Sequence, residues 1–180
     1  LVLARTDWVA VGIPRVYGFP QGFEIELRVI SGDGEELDSR LFRAHRAGHL
    51  RPDAQGLLPP EMLRLGVEFA DGSRVSNVMP AVRDLEVAPE GPVMWPQGGG
   101  GSAGDWRQSL WVWPLPPKGP VRFSCEWPAL SISLVRHTID GQLILDAAAS
   151  AQVLFPDEHL PLPPWPRDTE PRTPNQPFIF

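Results

Sequence analysis

GPVMWPQGGGGSAGDWRQSLWVWPLPPKGPVRFSCEWP, residues 91–128, holds five of the seven tryptophans, the single lysine and the single cysteine of the chain. Near its end, residues 121–127 alternate strictly: Val121, Phe123, Cys125 and Trp127 are apolar, while Arg122, Ser124 and Glu126 are not. A period of two is that of a strand with one buried and one wet face, so the four apolar residues should point into a core. Residues 109–113, Ser-Leu-Trp-Val-Trp, read as another strand, and four prolines and a glycine in PLPPKGP between the two predict a stiff, polyproline-like connection. The two strands are expected to be antiparallel neighbours joined by that connection.

The first of these strands is apolar on both faces, with Leu110 and Val112 on one side and Trp111 and Trp113 on the other. Such a strand is usually covered on both sides. Either the tryptophans are covered by the protein's own loops, or they form an exposed platform of the kind that marks an interaction site. Ahead of it, residues 98–104 hold five glycines in seven positions. Gly99-Gly100-Gly101-Ser102-Ala103-Gly104 satisfies a dinucleotide-binding pattern, and residues 100–104 satisfy the GxSxG nucleophile pattern. Both chemistries need a strand before and a helix after, to hold a phosphate or present a serine. Asp105-Trp106-Arg107 and a strand follow instead, so the run reads as a flexible hairpin or inter-sheet loop.

Outward from this stretch, 180 residues suit one domain, and 42% apolar content is enough for a core. Twenty-two prolines and 17 glycines argue against an all-helical fold and for short strands with many turns. No apolar run is long enough for a transmembrane helix, and the first residues lack the features of a signal peptide, although a leader already removed would leave no trace. One cysteine forms no internal disulfide, which fits a reducing compartment. Cys125 has no histidine beside it in sequence and reads as a small hydrophobe.

The net charge of −6 is spread over both halves, 14 acids and 10 bases in residues 1–90 and 8 and 6 in residues 91–180. No basic patch emerges to neutralise phosphates, so nucleic acid and an anionic membrane surface are poor partners.

Along the chain, residues 8–17 read as a strand interrupted by Gly12 and Pro14, predicting an edge or a bulge. A turn over residues 18–22 leads to the cleanest strand, residues 23–30, with Phe23, Ile25, Leu27 and Val29 inward and Glu24, Glu26 and Arg28 outward. Residues 31–60 form a long polar connection, in which His45 and His49 stand four apart without a third ligand, so no metal is assigned. Residues 60–63 suggest one helical turn. Leu65, Val67 and Phe69 then alternate up to Asp71-Gly72, a strong hairpin signal because both central residues of a type I′ turn need positive φ. Residues 80–92 read as a linker.

After the central stretch, residues 134–140 read as a strand with Val135, His137 and Ile139 on its apolar side, where a lone histidine is more often hydrogen-bonded than catalytic. Residues 143–153 read as a short helix or, in part, as another strand. The last 25 residues hold eight prolines, including LPLPPWP at 160–166, and form a tail separate from a domain over residues 1–155. Proline-rich segments bind aromatic-lined grooves at small entropic cost, so residues 160–166 are expected to lie across the Trp111 and Trp113 face of this chain or a neighbour's.

The residues LRLGVEFADG, the glycine run, WVWPLPP and FSCEWP together resemble a family of uncharacterised proteins of high-GC Gram-positive bacteria, over about residues 60–155. The resemblance implies a cytoplasmic bacterial protein and no particular activity, cofactor or catalytic residue.

These readings predict an all-β fold, a two-sheet antiparallel sandwich of seven to nine strands, immunoglobulin-like or jelly-roll, with one short C-terminal helix. Its core is expected to comprise Phe23, Ile25, Leu27, Val29, Leu65, Val67, Phe69, Leu110, Val112, Val121, Phe123, Cys125, Trp127 and Ile139. For function they predict a non-catalytic interaction or structural module without cofactor, whose platform draws on Trp95, Trp106, Trp111, Trp113 and Trp165 and whose partner is a protein or a second copy. A carbohydrate- or small-ligand-binding sandwich is a second reading, signalled by coplanar exposed tryptophans. An enzyme assembled from distant residues, for instance His137 with Asp140 or Glu126, is a third.

Overall fold

A computed structural model describes residues 1–32, 57–78, 89, 91–102 and 104–152. His45, His49, the linker apart from residues 89, 91 and 92, the Pro-rich tail and Trp165 lie outside them. The described chain forms nine strands: β1 (Val2–Arg5), β2 (Val9–Phe19), β3 (Gly22–Ser31), β4 (Arg64–Glu68), β5 (Arg74–Ser76), β6 (Val93–Ser102), β7 (Asp105–Trp113), β8 (Pro120–Trp127) and β9 (Ile132–Asp140). One short helix follows, α1 (Gln142–Ala149).

The strands make two antiparallel sheets, ordered β1-β2-β3-β7-β6 and β5-β4-β8-β9. Their apolar faces share one core, so the protein is the two-sheet sandwich that the alternating patterns predict. Phe23, Ile25, Leu27 and Val29 of β3, Leu110 and Val112 of β7, and Val121, Phe123, Cys125 and Trp127 of β8 are all buried. Leu65, Val67 and Phe69 join them, whereas Ile139, opposite Val121, is half-buried and packs against the core.

Two expectations are corrected. Strands β7 and β8 are not paired: β7 lies between β3 and β6, β8 between β4 and β9, and residues 114–119 carry the chain from one sheet to the other. Alternation places side chains on faces but does not say whether consecutive strands sit side by side or opposite each other. The glycine run is strand rather than loop, since Gly98, Gly99, Gly100 and Gly101 are in register with Ser109, Gln108, Arg107 and Trp106. A Cβ at Gly99 would stand 2.8 Å from the Arg107 carbonyl oxygen, and one at Gly101 would collide with that of Asp105, while Gly98 and Gly100 open onto free space. Side chains are thus excluded on one face of the run and absent on the other.

The break at Gly12 and Pro14 is a bulge, with the register shifting between Gly12 and Arg15, but β2 is interior because β1, not foreseen, covers its edge. The Asp71-Gly72 hairpin forms between β4 and β5. Its turn differs from type I′: Gly72 alone has positive φ, at 84°, and its N–H donates to Phe69 O at 3.0 Å, the pattern of a turn closed by a left-handed glycine. Asp71 Oδ1 accepts from the Ser73 N–H and hydroxyl at 2.9 and 2.6 Å, which lowers its pKa.

Helix α1 closes one end of the sandwich with buried Ile144 and Ala148. Asp140 Oδ1 accepts the Gln142 N–H at 2.9 Å, satisfying one free donor of its first turn. Gly18 lies so close beneath α1 that a Cβ there would collide with the backbone of Ala147 and Ala148.

Candidate functional site

The outward faces of the two sheets differ. On the β4 and β8 side the residues are charged and paired: Arg64 Nη1 to Glu126 at 2.7 Å, and Glu68 to Arg74 Nε at 2.8 Å and to Arg122 Nη1 at 2.6 Å. This is an ordinary wet face. On the outer face of the other sheet an arginine–carboxylate cluster stands toward one end. There Arg28 grips Asp105 with two bonds, Nε–Oδ1 2.8 Å and Nη2–Oδ2 2.6 Å, and Arg107 Nη2 adds a third at 3.3 Å. The Arg28 hydrogen bond, seconded by Arg107, holds the Asp105 carboxyl down to about 2.

Toward the other end the face is aromatic. Trp111 pairs with Glu24 of β3 on one side and with Trp95 of β6 on the other. Its indole leans over Gly22, where a Cβ would stand 2.8 Å from Trp111 Cζ2. Phe19, the register partner of Gly22, closes the far side with its ring 5.4 Å from that of Trp111, tilted 51°. Trp95 lies 6.3 Å from Trp111, tilted 44°. A continuous aromatic row thus crosses four strands, Phe19–Gly22–Trp111–Trp95. Tyr17, on the same side beside Glu24, is 41% exposed and Phe19 40%, while the three tryptophans Trp95, Trp111 and Trp113 are half-buried. Flanking the row, the bare backbone of Gly98 and Gly100 continues the face without side chains.

Of the five tryptophans proposed from sequence, three share this face. Trp95 and Trp111 touch, and Trp113, in register with Val93, stands two residues further along β7, followed by a cis bond to Pro114. Trp106 does not belong: in register with Val29, it faces inward and packs against the core. Counting back by twos from Leu110 gives that placement from the sequence. Phe19, Tyr17 and Gly22 were missed, although the turn after residue 19 and the outward Glu24 place them on the same side once the β2–β3 hairpin is in register. The rings are neither all buried nor a coplanar exposed pair, the two outcomes that would favour pure scaffold or flat sugar stacking.

The groups named for an assembled catalytic site do not meet. His137, opposite Phe123, faces inward and its Nε2 donates to Leu3 O at 2.7 Å, tying β9 to β1 across the two sheets. Glu126 faces outward to Arg64, and Asp140 caps α1. Cys125 is buried, and burial, seconded by Glu126, pushes its thiol up to about 12. Among the described residues no group of three or more His, Cys, Asp or Glu is placed to hold a metal ion, and no helix is long and apolar enough to cross a membrane.

Fold and face together define an antiparallel sandwich with an aromatic row across one outer sheet. Comparison with family models, with curated proteins and with solved structures finds no match to this chain.

Proposed function

We propose that this protein is a non-catalytic interaction module that grips an extended polypeptide segment on the outer face of the β2-β3-β7-β6 surface. The observation that carries the reading is the row Phe19–Gly22–Trp111–Trp95, partly exposed on a face whose counterpart across the molecule carries ion pairs on β4 and β8 and a single exposed Leu134 on β9 among the described residues. Tilted, half-exposed rings make an uneven surface, which suits an extended chain with side chains lying between rings better than a flat sugar. The side-chain-free backbone of Gly98 and Gly100 lets such a segment approach the sheet closely. The single cysteine fits a cytoplasmic setting, which cell fractionation tests.

The test is a titration of the full chain with extended peptides, proline-rich and alternating apolar, following the indole N–H resonances of Trp95 and Trp111. The expected result is displacement of both signals by at least one peptide class, lost in Trp95→Ala or Trp111→Ala while the unfolding midpoint changes little. No displacement by any peptide, or displacement by oligosaccharides alone, sinks the reading.

A further inference from the structure

Resting on that reading, we infer that the segment occupying the aromatic row is the chain's own LPLPPWP, residues 160–166, so that an outside partner must displace it.

The first support is where the described chain ends. The last turn of α1 sits on the inner side of Gly18, whose neighbour Phe19 points outward at one end of the row, and the described chain stops four residues beyond Ala148. From residue 152 to residue 160 the backbone spans up to about 26 Å, enough to pass from the inner to the outer side of β2 and then along the row. Four adjacent strands set the length of the row at about 14 Å, and about five residues of polyproline helix span the same distance.

The second support is chemistry. Leu160, Pro161, Leu162, Pro163, Pro164, Trp165 and Pro166 offer no run of donors for sheet pairing, since four of the seven have no N–H, but they offer rings and branched chains to lie against an aromatic row. Glu24, between Tyr17 and Trp111, makes no ion pair among the described residues, and Arg167 follows the proline run directly. With Leu160 at the Trp95 end and the segment running back toward Phe19, Arg167 comes beside Glu24, while the next outward carboxylate of β3, Glu26, already pairs with Arg15 at 3.8 Å.

Tethering makes this contact effective without tight intrinsic binding. A short linker supplies an effective concentration on the order of 1 mM, so a segment with a Kd of about 0.1 mM is bound about ten to one. Outside peptides then bind the intact chain about tenfold more weakly than a chain whose tail cannot dock.

The experiment compares the full chain with the full-length variant Pro161→Ser/Pro163→Ser/Trp165→Ala, which leaves residues 1–152 untouched. Indole N–H signals of Trp95, Trp111 and Trp127 are followed over a dilution series, and a synthetic 157–170 peptide is added in trans. The inference predicts that the variant shifts Trp95 and Trp111 but not Trp127, that the difference is independent of dilution, and that the peptide restores the original positions. Binding of the peptide to the variant about tenfold tighter than to the intact chain completes the prediction. Unmoved Trp95 and Trp111 signals overturn it, as does a difference that vanishes on dilution, which would assign the segment to a neighbouring copy. If the tail variant is silent while outside extended peptides still move both indoles, this inference fails and the proposed function stands. If outside peptides are silent as well, both fail.

Discussion

Trp127 is 1% exposed and its Nε1–H donates to Glu61 O at 2.9 Å, so one side chain fills the core and anchors the loop before β4. Trp127→Ala is expected to cost about 3–5 kcal/mol in denaturant unfolding, from lost packing and a stranded carbonyl. Cys125 supplies a second test. Its native thiol should be inert to a disulfide reagent and react only on unfolding. Because the folded pKa, about 12, lies above the ordinary value of 9.0, the unfolded chain loses this proton first as pH rises. The Cys125 contribution is therefore complete below about pH 9 and lost progressively toward pH 12, a decline that Cys125→Ala should lessen. Asp105 behaves in the opposite sense. Its carboxyl is held at about 2, below the ordinary 3.8, so its contribution is present above that range and vanishes as pH falls through 2. Acid titration of Asp105→Asn should show a shallower loss of stability in that window.

At the scale of elements, close approaches decide more than propensities. Gly18→Ala would drive a methyl into the backbone of α1, and overpacking of this kind costs about 1–3 kcal/mol. Amide exchange in residues 142–149 should accelerate with it, whereas equal protection in both proteins would show that α1 is not seated on β2. Asn77 extends the short strand β5 with its side chain: Oδ1 accepts the Leu65 N–H at 2.8 Å and Nδ2 donates to Leu63 O at 2.8 Å. Asn77→Ala leaves both strand groups unsatisfied and should cost about 1–3 kcal/mol, read as faster exchange across β4 and β5. Gly22 shows how an element and the candidate site are joined. Its missing side chain is what lets Trp111 lean across β3 to meet Phe19, so Gly22→Ala should displace the Trp111 indole resonance with little change at Trp127.

Taken whole, the molecule is asymmetric: one outer sheet face is an ion-pair surface, the other passes from a charged end at Arg28 and Asp105 to an aromatic end at Phe19 and Trp95. The edges are tied together as well, β1 to β9 through His137 and Leu3. Strand faces were legible in the sequence wherever apolar and polar residues alternate, because a period of two maps directly onto the two sides of a pleated strand, as in β3, β4 and β8. The same count placed Trp111 and Trp113 outward, and applied to Trp106 it would have placed that ring inward. What no alternation contains is which strands lie side by side, since pairing is a contact between residues far apart in the chain; residues 114–119 read equally well as a hairpin loop and as a passage between sheets. Nor could composition show that four consecutive glycines are a strand, because their backbone pairing with β7 and the close carbonyls of Asp105 and Arg107 exist only once the sheet has formed. The aromatic row belongs to that second category: its members come from β2, β7 and β6, and only register across β3 brings Phe19, Trp111 and Trp95 into one line.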